Sequence, residues 1–308
     1  NDNGSQELVS KPNFVAMAQL EISTAPFAGV SAELCYQKLV PGKRPGRYIH
    51  IPDGGELADE HTQVRVFIQD ARTTCLEASL ERTGFELRRQ ATQCADFLDS
   101  NAVAGNYYPE VEAIVKEATG CQEVIVFDHT IRETGAGSLN VLSNTSHAAA
   151  PVMRVHTDYT DESAPRRVQD LMHKGSYTGR RLSSDECERV LCNRYCFINV
   201  WRSLTEEPVM RCPLALCDAT SVNYGRAIKY EMHFPDRIGS NFALEHSPEH
   251  RWYYYPKMTS EECLLFKVFE KDTSRTQSVF HAAFHDPTTP EHAPSRRSIE
   301  CRTIACFA

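Results

Sequence analysis

Apolar runs in this sequence, such as Val124–Phe127 and Cys196–Val200, fall far short of the roughly 20 residues that a membrane-spanning helix needs. Positive charge is also scarce. The 33 Lys and Arg are outnumbered by 41 Asp and Glu, a net charge of −8, and no long basic cluster breaks the acidity. Capture of nucleic acid or of an anionic membrane surface is therefore not expected. There is no internal repeat and no low-complexity tract. Gly135-Ala136-Gly137 is followed by Ser-Leu-Asn with no alternation of strands and helices around it, so it is not a dinucleotide fingerprint. The stretch Asn1–Gln6 has no charged-then-apolar leader pattern, and a cytoplasmic location is expected.

Twelve cysteines are present, but they are scattered among long periodic segments and read mostly as free thiols of a reducing compartment. The closest pairs, Cys192/Cys196, Cys212/Cys217 and Cys301/Cys306, lack the two-residue gap of a zinc knuckle. The sequon at Asn144-Thr145-Ser146 is expected to be an ordinary surface loop. With 41% hydrophobic and 24% charged residues, the chain has the composition of a globular protein with a sizeable core.

Pro12, Pro26, Pro41, Pro45 and Pro52 leave no room for a long helix in the first 70 residues, which are expected to form strands and loops. Leu76, Leu80, Phe85 and Leu87 among good helix formers suggest one or two helices between Thr73 and Ser100. A helix is better marked from Pro109 to Gly120, with Val111, Ile114, Val115 and Ala118 as its apolar stripe. From Val124 onward strands dominate. Ser183 with Glu186, and Thr259 with Glu262, are capping-box patterns that each predict a short helix. Ser298–Phe307 has neither Gly nor Pro and suits a central strand. This order predicts an α+β chain with a β-barrel or sandwich as its catalytic part.

In Val152–Thr160 an extended run leads into a turn. Residues two apart on a strand share a face at about 7 Å between Cα atoms, so His156 and Asp158 can converge on one ion. A His-x-Asp pair usually supplies two of the three ligands of a facial triad, with positions left open for co-substrate and oxygen. Near the C-terminus, Ser278–Pro287 carries two histidines and is followed by Arg296 with Ser298 two residues on. A guanidinium there can grip a distal carboxylate in a two-pronged bridge, for which Arg is better shaped than Lys. Either histidine could be the third ligand: His281 has the small, apolar neighbours of a buried site, and His285 has the shorter spacing to Arg296.

The strings around His156–Thr160, Ser163–Val168, Asn199–Arg202, Pro213–Asp218, Trp252–Pro256 and Ala293–Arg302 resemble fungal and bacterial non-haem iron, 2-oxoglutarate-dependent tailoring oxygenases. This group includes the aspergillic-acid hydroxylase/desaturase, the cephamycin 7α-hydroxylation component and the meroterpenoid endoperoxide-forming enzyme. The resemblance covers roughly residues 105 to 305. It implies a double-stranded β-helix (jelly-roll, cupin-like) core with flanking helices, Fe(II) held by His156, Asp158 and His281, and 2-oxoglutarate held by Arg296, with Ser298 beside it and Arg202 as a second anion contact. A single oxygenase domain over 1–308 is expected, with an elaboration over 1–105 and the core over 106–308. The implied activity is hydroxylation, desaturation, cyclisation or peroxidation of a small molecule by O2 in secondary metabolism, with a homodimer as the candidate assembly. Two rivals remain: a zinc-dependent hydrolase with the same ligands, and a non-catalytic cupin-like partner subunit. Tyr107, Tyr108, Tyr159 and Trp252–Tyr255 are candidate pocket walls, although aromatic strands more often build core.

Overall fold

The computed structural model of the protein describes residues 28–49, 55–135 and 148–308; Pro12, Pro26, Pro52, Gly137 and the Asn144 sequon lie outside them. Along the chain come β1 (Gly29–Gln37), β2 (Arg44–Tyr48), β3 (Leu57–Ala58), β4 (His61–Asp70) and β5 (Phe85–Arg89). A helical stretch follows, with α1 (Ser100–Ala102), a π-helical turn at Val103–Tyr107 and α2 (Tyr108–Thr119). After β6 (Glu123–Glu133) and β7 (His156–Thr157) come α3 (Ser163–His173) and α4 (Ser184–Cys192). The remainder is strand apart from two 3-10 turns at Ala219–Ser221 and Tyr224–Arg226: β8 (Tyr195–Ser203), β9 (Leu214–Cys217), β10 (Ile228–His233), β11 (Ile238–Ala243), β12 (Trp252–Tyr254), β13 (Glu262–Glu270), β14 (His281–Ala283) and β15 (Arg297–Cys306).

The strands form two sheets, one of ten in the order β1-β4-β12-β9-β14-β7-β11-β10-β2-β3 and one of five in the order β5-β13-β8-β15-β6. Sequence neighbours are rarely sheet neighbours, as expected when a chain winds back and forth between the two walls of a double-stranded β-helix. The inner faces meet in a cluster that includes Phe197, Trp201, Leu264 and Phe266 from the smaller sheet and Leu214, Leu216 and Tyr253 from the larger. The opposite face of the smaller sheet is covered by α2, whose Val111, Ile114 and Val115 pack with Ile198, Val200, Ile299 and Cys301. Burial of each such side chain stabilises the fold by about 1.5–3 kcal/mol. No described helix is long and apolar enough to cross a membrane.

Several expectations hold. Helix α2 has Pro109 in its first turn and ends at Gly120, whose φ of 65° is the left-handed cap that favours glycine. Ser183 and Glu186 form a reciprocal capping box at the start of α4, and β15 is central, between β8 and β6. All twelve cysteines are free.

Two helices do not appear where the pattern suggested them. Between Thr73 and Ser100 the chain turns at Thr83-Gly84 and enters β5, which pairs with β13 from Phe85 to Arg89. Phe85 and Leu87 obey a strand period there, and Gly84 has φ +84° with Val279 Cγ2 only 2.5 Å from where a Cβ would stand. At Thr259 half of the capping box forms, because Glu262 accepts from the Thr259 N–H at 3.1 Å. The next residues nevertheless join β13, with β5 on one side and β8 on the other. Glu262 also accepts from Arg72 with both oxygens, at 2.8 and 2.7 Å.

Candidate functional site

His156 belongs to the short strand β7, and Asp158 is at the bend that ends it. β14 pairs with β7 so that His281 is directly opposite His156, which sends both imidazoles from one face of the larger sheet into the interior. One Asp158 oxygen, Oδ1, is 3.5 Å from His156 Nε2 and 3.9 Å from His281 Nε2, and the three ligand atoms all lie within 4.8 Å of one another. The other ring nitrogens are occupied, Nδ1 of His156 against the Arg154 carbonyl at 2.7 Å and Nδ1 of His281 against the Val279 carbonyl at 3.2 Å. With a proton on each Nδ1, both Nε2 lone pairs are free for one ion, the arrangement typical of metal-binding histidines.

Electrostatics favours the same state of His156. Burial holds His156 below its ordinary range, helped by the neighbouring His281, so the ring is neutral. Burial pushes the Asp158 carboxyl up, but its neighbours, the Arg302 charge foremost and the Asn199 hydrogen bond among them, bring it below the ordinary carboxylate range and keep the acid ionised. Asn199 Nδ2 donates to Asp158 Oδ2 at 2.8 Å, and Arg302 Nε is 3.5 Å from the same oxygen. Arg302 is in turn held by Asp128 at 2.9 Å and Glu300 at 3.3 Å. These partners come from the inner face of the smaller sheet, where Asn199 of β8, Arg302 of β15 and Asp128 of β6 are in register. The Asn199–Arg202 and Ala293–Arg302 strings contained two of them, but nothing in their spacing tied either to Asp158.

Beside the cluster a small cavity is lined by His156, His281, Trp201, Arg132, Glu300 and Arg296, among others. Arg296 is 3% exposed; its guanidinium is 5.5 Å above the Trp201 ring, and Nη1 donates to the Cys212 carbonyl. Its Nε has no partner among the described residues, and neither has Ser298 Oγ on the same face two residues on. Burial, and then repulsion from Arg132, lower the Arg296 pKa to about 10, which still leaves it charged at neutral pH. A buried cation with an unused donor suits an anion.

Arg202 faces the other way. It is fully buried on the α2 side of the smaller sheet and donates to the Gln90 and Ser260 carbonyls, each at 2.6 Å, and to Tyr107 Oη at 3.2 Å. The strand period explains the difference: Asn199 and Trp201 point into the barrel, so Arg202 points out. It does not line the small cavity, whereas Arg132 does. His285 is exposed beyond the end of β14, with Nδ1 3.9 Å from Cys212 Sγ. Of the aromatic candidates, Trp252 to Tyr255 are core, and Tyr107 with Tyr108, the first residue of α2, belongs to the cluster between α2 and the smaller sheet. Tyr159 lines a second, larger cavity of about 910 Å³ that also reaches His156 and Asp158.

Fold and cluster together define a double-stranded β-helix protein whose two histidines and one aspartate could hold a metal ion. A family model described as an oxidoreductase/YMDC permease-like domain matches residues 36–306, and the chain belongs to that family. The hydroxylase/desaturase efuI of Hormonema carpetanum is 31% identical over 258 residues, spanning 78% of this chain and 82% of that one. The alpha-ketoglutarate-dependent dioxygenase phiK of a fungal species (strain ATCC 74256) is 28% identical over 264 residues, covering 83% and 91% respectively. Among solved structures, the iron and alpha-ketoglutarate-dependent endoperoxidase NvfI superimposes with a TM-score of 0.77 over 91% of this chain and 98% of its own at 24% identity, a likeness that carries the fold.

Proposed function

We propose that the protein is an Fe(II)/2-oxoglutarate-dependent dioxygenase that oxidises a small molecule with O2 in secondary metabolism, with His156, Asp158 and His281 as its iron ligands. The observation that carries this reading is the meeting of two imidazoles, each with Nδ1 against a backbone carbonyl, and one carboxylate beside a buried arginine with an unused donor. Two nitrogens and one oxygen from one side of an ion are the donor set of a mononuclear ferrous site with open positions. When bound, the ferrous ion and the 2-oxo acid supply the oxidising power that turns O2 on a substrate C–H bond. The protein's own part is to bind, orient and keep dry. Arg296 would hold the distal carboxylate of 2-oxoglutarate, with Ser298 Oγ beside it and Arg132 across the small cavity. Asn199 and Arg302 fix the rotation of Asp158 so that Oδ1 faces the two histidines.

A zinc hydrolase with these ligands would need a spare base near them and would have no use for Arg296. The acid beside the cluster, Glu300, is held by Arg302, which supports the oxygenase reading. We place the reaction on a dissolved substrate in the cytoplasm, with neither nucleic acid nor membrane as partner. The test is anaerobic addition of ferrous iron and then 2-oxoglutarate, followed by visible absorption. A weak charge-transfer band that is lost in Asp158→Ala supports the assignment, and its absence from the unaltered protein refutes it.

A further inference from the structure

We infer that the primary substrate carries a carboxylate or similar anionic group, and that Arg47 and Arg154 bind it on the wall of the larger cavity. This inference rests on the proposed function and adds the chemical class of what enters. The cavity of about 910 Å³ touches His156 and Asp158, and its described lining has nine Arg and Lys side chains against four Asp and Glu. In a chain of net charge −8, that excess of positive charge runs against the composition.

Most of the acids in the lining already have partners. Asp128 is held by Arg167 at 3.1 Å and Arg302 at 2.9 Å, Glu133 by Arg297 at 3.0 Å, and Asp170 by Lys174 at 3.8 Å. Asp158 belongs to the metal cluster. Arg47 and Arg154 have no carboxylate of the described residues within salt-bridge distance. Arg154 lies flat over the Tyr230 ring, 3.7 Å from its centroid, and Arg47 Nε is buried without a hydrogen-bond partner. Arg47 of β2 is paired with Met232 of β10, two residues from Tyr230, so the strand pleat puts the two arginines on one wall.

Two neighbouring half-buried cations repel each other, and Asp59, whose charge offsets part of this, is outside salt-bridge distance of both, so a bound counter-charge stabilises the pair. An anionic ligand does so, and a fork of two guanidiniums is shaped for a carboxylate. Arg154 is two residues before His156, about 7 Å along an extended chain, so a group bound there leaves the rest of the molecule next to the metal cluster. The apolar side chains of Phe97, Leu98, Met232 and Phe234 in the same lining suit a largely hydrocarbon body.

The test uses the full chain loaded with ferrous iron and 2-oxoglutarate without oxygen. Decanoate and decanamide, of equal length but different charge, are titrated while the melting midpoint and the visible band are followed. Decanoate is expected to bind about tenfold or more tightly than decanamide. The Arg47→Gln/Arg154→Gln double variant should lose that preference and keep the 2-oxoglutarate band, and Arg47→Lys/Arg154→Lys should retain most of it. If the double variant does not fold, the half-buried Arg47→Gln alone should lower the preference. Equal binding of the two probes by the unaltered protein, or a preference that survives both glutamine variants, overturns the inference. A missing band with the carboxylate preference intact counts against the proposed function alone, because the melting midpoint still reports the anion site.

Discussion

His281 stands directly across from His156 in the pairing of β14 with β7, with ring centroids 4.5 Å apart. This register selects the distal ligand, because β14 ends at Ala283 and the chain has turned outward by His285. His281→Ala should lower iron affinity by more than the roughly 10–100-fold that follows loss of an outer partner, and His285→Ala should leave it unchanged. Equilibrium dialysis against ferrous iron without oxygen reads both. A loss confined to the His285 variant would reverse the assignment.

Asn199 holds the oxygen of Asp158 that faces away from the histidines. Removing the amide frees the carboxylate to rotate and leaves it to Arg302 alone. Asn199→Ala is therefore expected to fold normally and to weaken iron binding by about 10–100-fold. An iron titration with the same midpoint as the unaltered protein would show that Asn199 has no positioning role.

Arg296 and Arg202 are both buried arginines, but they face opposite sides of one sheet and should fail in different ways. Arg296→Ala should raise the dissociation constant for 2-oxoglutarate by about a hundredfold, from loss of a charge-assisted, two-pronged contact, while sparing iron. Arg202→Met should leave that constant unchanged and lower stability by about 3 kcal/mol, because the Gln90 and Ser260 carbonyls lose their donor. Titration of the visible band and chemical unfolding separate the two effects. A weaker band in the Arg202 variant would contradict the opposite-face geometry.

How much of this was legible in the sequence depends on how local each signal is. His156 and Asp158 are two residues apart at the end of an extended run, so their convergence follows from strand geometry alone. The α2 helix and the Ser183 capping box are equally local and were readable. The role of Arg202 was not, because it turns on the parity of a strand whose residues are buried on both faces; without an apolar-polar alternation, nothing marks which side is inside. Arg132 and the Asn199–Asp158 contact depend on which strands become neighbours, and residues 41 apart in sequence meet there. Thr259–Glu262 shows the reverse failure, a correct local contact overridden by strand pairing on both sides of β13.

That same Glu262 gives a pH dependence with a definite sign. Its carboxylate accepts both Arg72 donors and the Thr259 N–H. Burial raises its pKa, but the Arg72 hydrogen bonds, the Thr259 N–H and the charges of Arg72 and Arg89 outweigh burial and bring it below the ordinary 4.5. A carboxyl whose pKa is lowered by folding adds stability above the unfolded value and loses it as pH falls through the folded one. Glu262→Gln should therefore cost about 1 kcal/mol near neutral pH, since Arg72 is one-third exposed and water screens the pair. As the pH falls below the ordinary carboxyl value of 4.5, the melting midpoints of the two proteins should converge once the native carboxylate takes up its proton. A gap that stays constant from neutral pH to that point would mean that Glu262 acts through packing and not through its charge.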